Sequence, residues 1–138
     1  MTHSTGPPKP PAILVVEDDG LIRRHAAEAF DDAGFIVFEA GDAANALQIL
    51  GVSGPRIDAL FTDVNMPGAM TGLSLARHAH DHWPWMRLAV TSGFVRPAVA
   101  AMPESARFFP KPYDVNCVVD YFRSATLAAA SPVERRRV

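Results

Sequence analysis

Short apolar runs alternate along this chain with longer segments in which apolar residues recur at helical spacing. The first run, residues 12–16, shows no alternation of apolar and polar positions, so it predicts a strand buried on both faces. Residues 20–32 follow and predict an amphipathic helix, and Gly34 is suited to end that helix in a left-handed conformation. The apolar face of this helix consists of Leu21, Ile22, Ala26, Ala29 and Phe30.

The same alternation of strand and helix continues along the rest of the chain. Further strands are predicted at residues 35–40, 59–61, 87–91 and 108–109. Further helices are predicted at residues 43–50 (capped by Asp42), 73–82, 95–102 and 115–125 (capped by Asp114). Gly51, Gly54 and Pro55 are expected to end the second helix, and Pro97 leaves the fourth one short. The inner face of the last helix is predicted to consist of Val115, Val118, Val119, Phe122 and Ala125.

Strands that alternate with helices at this spacing predict an α/β domain with a parallel sheet covered by helices on both faces. Because crossover connections are right-handed, few topologies remain. Five such units suit the flavodoxin-like doubly wound sheet with strand order 2-1-3-4-5. The domain is expected to span residues 12–130. Residues 1–11 include four prolines and are expected to form a disordered, extended arm, and residues 131–138 a tail.

Composition indicates a single globular domain but does not indicate a binding partner. A chain of 138 residues with 49% hydrophobic and 20% charged residues fits one globular domain. The net charge of −2 gives no electrostatic reason to expect nucleic acid or a membrane surface as a partner. No apolar run approaches the roughly 20 residues of a membrane span, and the N-terminus lacks the apolar region of a signal peptide, so a cytoplasmic location is expected. The single cysteine, Cys117, excludes an internal disulfide and is expected to be buried in the last helix.

Carboxylates follow two of the predicted strands. Glu17 and Asp18 come directly after the first strand, and Asp63 ends the third. These strands are neighbours in the proposed order, so the three carboxylates are expected within a few ångströms of one another, where like charges repel strongly. A hard divalent cation relieves that repulsion, and an all-oxygen ligand set favours Mg²⁺.

Two further groups are expected at the same edge of the sheet. The fourth strand ends in Thr91, which offers a hydroxyl, and Lys111 follows the fifth strand and adds a positive charge. Carboxylates, a metal cation, a hydroxyl and an ammonium together suit a phosphoryl group carried on an aspartate. Asp63 is then the attacking nucleophile.

The same residues carry a resemblance to a known family. The matching segments are Val15 to Asp19, Thr62 to Pro67, Val90 to Gly93 and Lys111 to Tyr113. In this order and at nearly this spacing, they resemble the receiver domain of two-component response regulators, of the chemotaxis-regulator-like, single-domain type. The resemblance covers residues 12–130.

The resemblance implies a phospho-acceptor and a metal site. Asp63 is implied to accept a phosphoryl group from a sensor histidine kinase or a histidine phosphotransfer protein. Asp18, Asp63 and the backbone carbonyl of Asn65 are implied to ligate Mg²⁺, and Glu17 to act through water. The protein is then a signalling switch and not an enzyme, apart from its own phosphorylation from phosphodonors and its autodephosphorylation.

The resemblance also implies a switch that is read by a downstream protein target. Lys111, joined to Pro112 by a cis bond, is implied to contact the acyl phosphate, and Thr91 to move and hydrogen-bond the phosphoryl group. Phe108 departs from the family pattern, because many members have a tyrosine there that rotates on activation. The loop over residues 68–72 is one residue longer than usual, with a threonine where an aspartate is common.

Two other clusters have a plain structural interpretation. His78 and His82 lie four residues apart, a spacing that can bind a metal on a helix, but a role as ordinary surface residues is favoured. Trp83 and Trp85 are expected to pack against the end of the helix rather than to form an exposed patch.

Other functions remain as alternatives. An aspartate-dependent phosphohydrolase of the haloacid-dehalogenase type needs a second acid two positions after the nucleophile, where this chain has Asn65. A flavodoxin-like cofactor binder would place a phosphate where Glu17 and Asp18 repel it, without a glycine-rich loop. The chain could also be a receiver fragment of a hybrid kinase, although its starting methionine and arginine-rich tail argue mildly against that.

Overall fold

The computed structural model describes residues 9–93, 102–103 and 105–129, with side chains as far as residue 126. Its core is a five-stranded parallel sheet of order β2-β1-β3-β4-β5, which confirms the predicted fold. The strands are β1 (Ala12–Val16), β2 (Ile36–Ala40), β3 (Ala59–Asp63), β4 (Arg87–Ser92) and β5 (Arg107–Pro110). The helices are α1 (Gly20–Asp32), α2 (Ala43–Ser53), α3 (Gly72–His82) and α4 (Val115–Ala129), with a 3₁₀ turn at Gly54–Arg56.

Both faces of the sheet are buried, which explains the unbroken apolar run of β1. Ile13 and Val15 join one core cluster, which contains buried residues of α1 and α4. Leu14 and Val16 point the other way into a second cluster, which contains buried residues of α2 and α3. Since successive side chains of a strand alternate between faces, a strand with helices on both sides needs apolar residues at every position.

A polar side chain accepts a backbone hydrogen bond at the start of each helix from α1 to α4. The side chain of Asp19 accepts hydrogen bonds from the backbone N–H groups of the first turn of α1, and Asp42 and Thr71 do the same for α2 and α3. Each cap satisfies an N–H group that has no partner within its helix. The predicted cap of α2 is thereby confirmed. Asp114 also accepts a bond from the N–H of Asn116 at the start of α4, as predicted.

The second helix is longer than the sequence pattern predicts. It continues through Gly51 and ends at Ser53, where Pro55 lies in the following 3₁₀ turn. A glycine lowers helix stability by only about 1 kcal/mol, and the burial of Leu50 and Ser53 on either side offsets that cost. The expectation that Gly51 breaks the helix was therefore wrong. Gly34, by contrast, has the predicted positive φ of 95° after α1.

Two apolar residues expected in the core lie at the surface. Cys117 is exposed, because the inner face of α4 is formed by Val118, Val119 and Phe122, and position 117 faces the opposite side. Leu21 is 85% exposed, since the first turn of α1 lies at the carboxyl edge of the sheet, where no described element covers it.

The helix predicted at residues 95–102 lies outside the described residues apart from Met102. The predicted terminal arm and tail lie largely outside them as well. Within the described part of the chain, no helix has both the length and the apolar composition needed to cross a membrane.

The start of α3 packs against the end of β3 so closely that only glycine fits. A Cβ atom added at Gly72 would lie 1.8 Å from the backbone oxygen of Asp63 and 2.9 Å from the Cα of Val64. We expect Gly72→Ala to lower the free energy of unfolding by about 1–3 kcal/mol, the usual cost of forcing extra volume into a packed site. Urea unfolding followed by circular dichroism measures this change.

Gly51→Ala is the matched control. A Cβ atom at Gly51 has no neighbour within 4 Å, and alanine is favoured over glycine inside a helix by about 0.5–1 kcal/mol. This variant should be slightly more stable than the wild type. An unchanged urea midpoint for Gly72→Ala would show that the contact at β3 is not tight.

Candidate functional site

Strand register sets three polar side chains side by side at the carboxyl edge of the sheet. Val16 of β1 pairs with Thr62 of β3, so the residues that follow them, Glu17 and Asp63, are neighbours. Asp63 in turn pairs with Thr91 of β4. All three side chains are buried, with residue exposures of 4%, 5% and 2% respectively. The predicted meeting of the first and third strand ends is therefore present.

These three residues continue the core face that lies under α1 and α4. Two positions earlier in the three strands, the same face carries apolar residues of one core cluster, namely Val15, Phe61 and Ala89. Because side chains repeat on a face every second residue, the row of Glu17, Asp63 and Thr91 forms the polar end of an otherwise apolar surface. The surrounding core limits how far these side chains can move.

Lys111 reaches into this row from the end of β5. Its Nζ donates to Glu17 Oε1 at 2.8 Å and to Asp63 Oδ2 at 3.2 Å. The backbone N–H of Lys111 donates to the carbonyl of Ser92, 3.0 Å away, and the stem of Lys111 runs beside Gly93. The Lys111–Pro112 bond is cis, as the resemblance implies.

The charges of this site act strongly on one another. Burial raises the pKa of Glu17, and the charge of Asp63 adds to this, although the hydrogen bond from Lys111 opposes it. Burial by itself lowers the pKa of Lys111, but its hydrogen bond to Glu17 and the charge of Asp63 outweigh burial and raise it overall. Lys111 thus stays protonated as the counter-charge of the two carboxylates.

The carboxylates can hold a metal ion. One oxygen from each of Glu17, Asp18 and Asp63 lies within 4.8 Å of the other two, and Asp18 is exposed to solvent. Lys111 is the cation that the structure places in contact with Glu17 and Asp63. An excess of hard oxygen ligands over positive charge, open to water on one side, fits Mg²⁺ in ligand type.

Asp19 and Asn65, which lie close to these acids in the sequence, make hydrogen bonds of their own. Asp19, next to Asp18, is engaged as the cap of α1, and its N–H donates to Glu17 Oε2 at 3.1 Å. Asn65 is exposed, and its side-chain amide donates to Ser92 Oγ at 3.1 Å. This bond connects the loop after β3 to the end of β4, across the mouth of the site.

The two residues assigned to switching differ in their surroundings. Thr91 Oγ1 is buried and has no hydrogen-bond partner among the described residues. Phe108 pairs with Val90 along β5 and is half-buried. Thr91 thus lies in the row of acids, whereas Phe108 lies one strand away from it.

Tyr113 and Arg23 also lie at the site, although no role was predicted for them from the sequence. Tyr113 packs edge-on against Phe61, with ring centroids 5.3 Å apart, and the charge of Glu17 acts on its phenol. Arg23 donates to the backbone carbonyl of Glu17 at 2.9 Å and pairs with Glu39 at 3.3 Å. An arginine six positions after Glu17 on a helix gives no sequence signal, because only the docking of α1 brings it to the end of β1.

The remaining candidates lie away from the acids. Trp83 and Trp85 are half-buried against the core cluster under α2 and α3, as predicted, and Trp83 covers Gly54. His78 and His82 stack near the end of α3. Burial and the charge of His82 lower the pKa of His78, against the opposing charge of Asp81.

Comparison with known families gives one clear match. The family described as "Response regulator receiver domain" matches residues 13–122.

Curated relatives agree with this match. The response regulator receiver protein CpdR of Brucella abortus is 32% identical over 122 residues, which cover 85% of this chain and 98% of that protein. The sensor kinase CckA of the same organism is 32% identical over 107 residues. These residues cover 75% of this chain but only 11% of the kinase, so the chain corresponds to a small part of it.

Solved structures show the same fold. A response regulator receiver protein from Sinorhizobium medicae superposes with a TM-score of 0.80 at 24% identity, covering 88% of this chain and 98% of that one. The receiver domain of the hybrid histidine kinase CckA superposes with a TM-score of 0.71 at 30% identity, covering 83% and 97%.

The surroundings of Tyr113 predict a pH dependence. Burial, together with the charge of Glu17, raises the pKa of Tyr113 to about 12 from an ordinary value of 10.0. Because the folded-state pKa is the higher one, the stability contributed by this phenol is fully present below pH 10 and is lost as the pH rises toward 12. In Tyr121→Phe, where Tyr113 is the remaining tyrosine, absorbance at 295 nm should report its ionisation with a midpoint near 12.

The same titration of Tyr121→Phe in guanidinium chloride is the control and should have a midpoint near 10. Circular dichroism at each pH establishes that the protein is still folded. A midpoint near 10 in the folded protein would contradict the burial of Tyr113.

Proposed function

Because this chain belongs to the response regulator receiver domain family, we propose that Asp63 is the residue that carries the phosphoryl group. The chain is a phospho-accepting signalling switch rather than a catalytic enzyme. The observation that supports Asp63 is its position: it is buried at a strand end, within 3.2 Å of the Lys111 ammonium and in register with Thr91. We propose that the receiver domain spans residues 12–130.

Phosphorylation is a displacement at phosphorus by an Asp63 carboxylate oxygen. When the donor is a phosphohistidine of a histidine kinase or phosphotransfer protein, the new P–O bond forms as the P–N bond breaks. The electron pair of the broken bond stays on the imidazole nitrogen, which regains its neutral form. Lys111 already contacts Asp63 Oδ2, so its charge is positioned to balance the negative charge that the phosphoryl oxygens bring into the buried site.

Mg²⁺ is the metal that we assign to the acids. Asp18, Asp63 and the backbone carbonyl of Asn65 would bind it, and Glu17 would act through a water molecule. When bound, the ion neutralises oxygens of the transferring group. The proximity of three carboxylates within 4.8 Å supports this assignment.

Thr91 is the residue that we expect to respond to phosphorylation. Its hydroxyl is buried beside Asp63 without a hydrogen-bond partner among the described residues. A phosphoryl oxygen on Asp63 supplies an acceptor for it. Movement of Thr91 toward that oxygen, accompanied by repacking of Phe108, would change the surface near β4 and β5 that a downstream protein target reads.

A phosphohydrolase function has less support. Asn65 stands two positions after Asp63, where such an enzyme needs a second acid, and its amide is bonded to Ser92. An amide cannot act as the general acid or base of a hydrolytic step.

Incubation with Mg²⁺ and acetyl phosphate tests the assignment of Asp63. We expect intact-protein mass spectrometry to show the addition of one phosphoryl group to the wild type and none to Asp63→Asn, because an amide is not a nucleophile here. Lys111→Met should slow the reaction about 100- to 1,000-fold, the size of effect expected when one stabilising donor is lost.

Asp32→Asn is the matched control for this experiment. Asp32 is exposed at the far end of α1, about 20 Å along the helix from the acids, so this variant should be phosphorylated at the wild-type rate. Phosphorylation of Asp63→Asn to the wild-type extent would place the acceptor elsewhere. Continuous turnover of phosphomonoesters would instead favour the hydrolase.

Mg²⁺ should stabilise the unphosphorylated protein. An ion that binds only the folded state at a hundred times its dissociation constant adds about 2.7 kcal/mol to the free energy of unfolding. We expect the melting temperature to rise by several degrees on addition of MgCl₂ to protein treated with a chelator. The rise should disappear in Asp18→Asn and in Asp63→Asn.

Asp32→Asn again separates specific binding from a general effect of salt, since it keeps all three acids and should retain the full shift. An equal rise in all four proteins would mean that Mg²⁺ acts by screening surface charge and not at the acids.

A further inference from the structure

Two histidine rings near the end of α3 form a second cluster of metal-binding atoms. The rings of His78 and His82 are stacked, with centroids 4.0 Å apart and planes inclined by 26°. Residues four apart lie on the same face of a helix, so both rings lie along one side of it. The spacing alone allows this arrangement, but the structure shows that it is adopted.

The hydrogen bond of His82 determines which of its nitrogens is free. Its Nδ1 lies 2.9 Å from the backbone carbonyl oxygen of His78. A carbonyl oxygen can only accept, so Nδ1 carries the proton and the Nε2 of the neutral ring holds an available lone pair. Metal-binding histidines usually have this arrangement, in which the second nitrogen donates to a backbone carbonyl and fixes the orientation of the ring.

The histidine pair is accessible and far from the acids. His82 is exposed and His78 is half-buried. The N–H of Gly72, the first residue of α3, donates to the carbonyl of Val64, which directly follows Asp63. His82 ends the helix, about 15 Å further along its axis. The pair therefore lies toward the opposite edge of the sheet from the acidic site.

We propose that His78 and His82 together bind a divalent transition metal ion of the nickel, copper and zinc class, with water completing its coordination. Two imidazole nitrogens suit these ions, whereas Mg²⁺ prefers oxygen ligands. The chain thus has two metal sites of different chemistry. The histidine site needs neither phosphorylation nor the acids.

Trp83 provides a local readout of this site. Its ring centroid lies 5.6 Å from that of His82 and 6.0 Å from that of His78. Paramagnetic Ni²⁺ or Cu²⁺ held by the two rings would quench its fluorescence by contact. Titration of the full chain with NiCl₂ should therefore give saturable quenching and a rise in melting temperature, and MgCl₂ should give no quenching.

Substitution of the ligands identifies the site. His78→Gln and His82→Gln should each weaken nickel binding by at least about tenfold. Each removes one of two protein ligands, and even the loss of a residue that only hydrogen-bonds to a ligand weakens metal binding that much. Trp83→Phe should lose most of the quenching and keep the rise in melting temperature. Circular dichroism of each variant establishes that it is folded.

His25→Gln and Asp32→Asn are the matched controls. His25 is a single exposed histidine on α1, and Asp32 is an exposed acid at the end of the same helix, so both variants should show the same quenching as the wild type. Unchanged quenching in the double variant of His78 and His82 would overturn the proposal. Loss of quenching in His25→Gln would overturn it as well, by placing the nickel at α1.

Discussion

An ammonium group that bridges two buried carboxylates from neighbouring strands is the interaction on which the carboxyl edge of this sheet depends. Lys111 bonds both Glu17 and Asp63, although its own strand, β5, lies at the other end of the row. Removing charged groups from water costs several kcal/mol per ion unless they are paired and hydrogen-bonded. The ion pairs with Lys111 offset part of this free energy. Because Asp18 also lies close by, the site retains an excess of negative charge. That excess is why we assign a cation to the site.

The apolar layers around the sheet keep this pair in place. The acids are the continuation of strand faces whose preceding residues are fully buried, and α1 and α4 cover that face. Arg23 holds the backbone at Glu17 from one side, and the contact of Gly72 with Asp63 fixes the loop from the other. A side chain at such a position has little freedom to move away from a reacting group, which is the condition for accurate positioning in phosphoryl transfer.

Within this rigid setting, one group lacks a partner. The hydroxyl of Thr91 is buried beside Asp63 without a hydrogen-bond partner among the residues that the structure describes, and such a group costs about 1–3 kcal/mol. A phosphoryl oxygen would satisfy it. Under the proposed function, phosphorylation of Asp63 would remove this unfavourable free energy and so favour one of two states of the protein.

The sequence by itself determined the strand order and the acids, because strands buried on both faces have a continuous apolar signature and because carboxylates after two such strands must share one edge. It also predicted Lys111 from its position after a strand and Thr91 from its position at the end of one. Tertiary structure alone decided what depends on the docking of helices: the bond from Arg23 to Glu17, the packing of Tyr113 against Phe61 and the exposure of Leu21 and Cys117. It also decided that the rings of His78 and His82 stack with a defined tautomer, since a spacing of four allows that arrangement without requiring it. Periodicity specifies which residues share a face, and only packing specifies what that face meets.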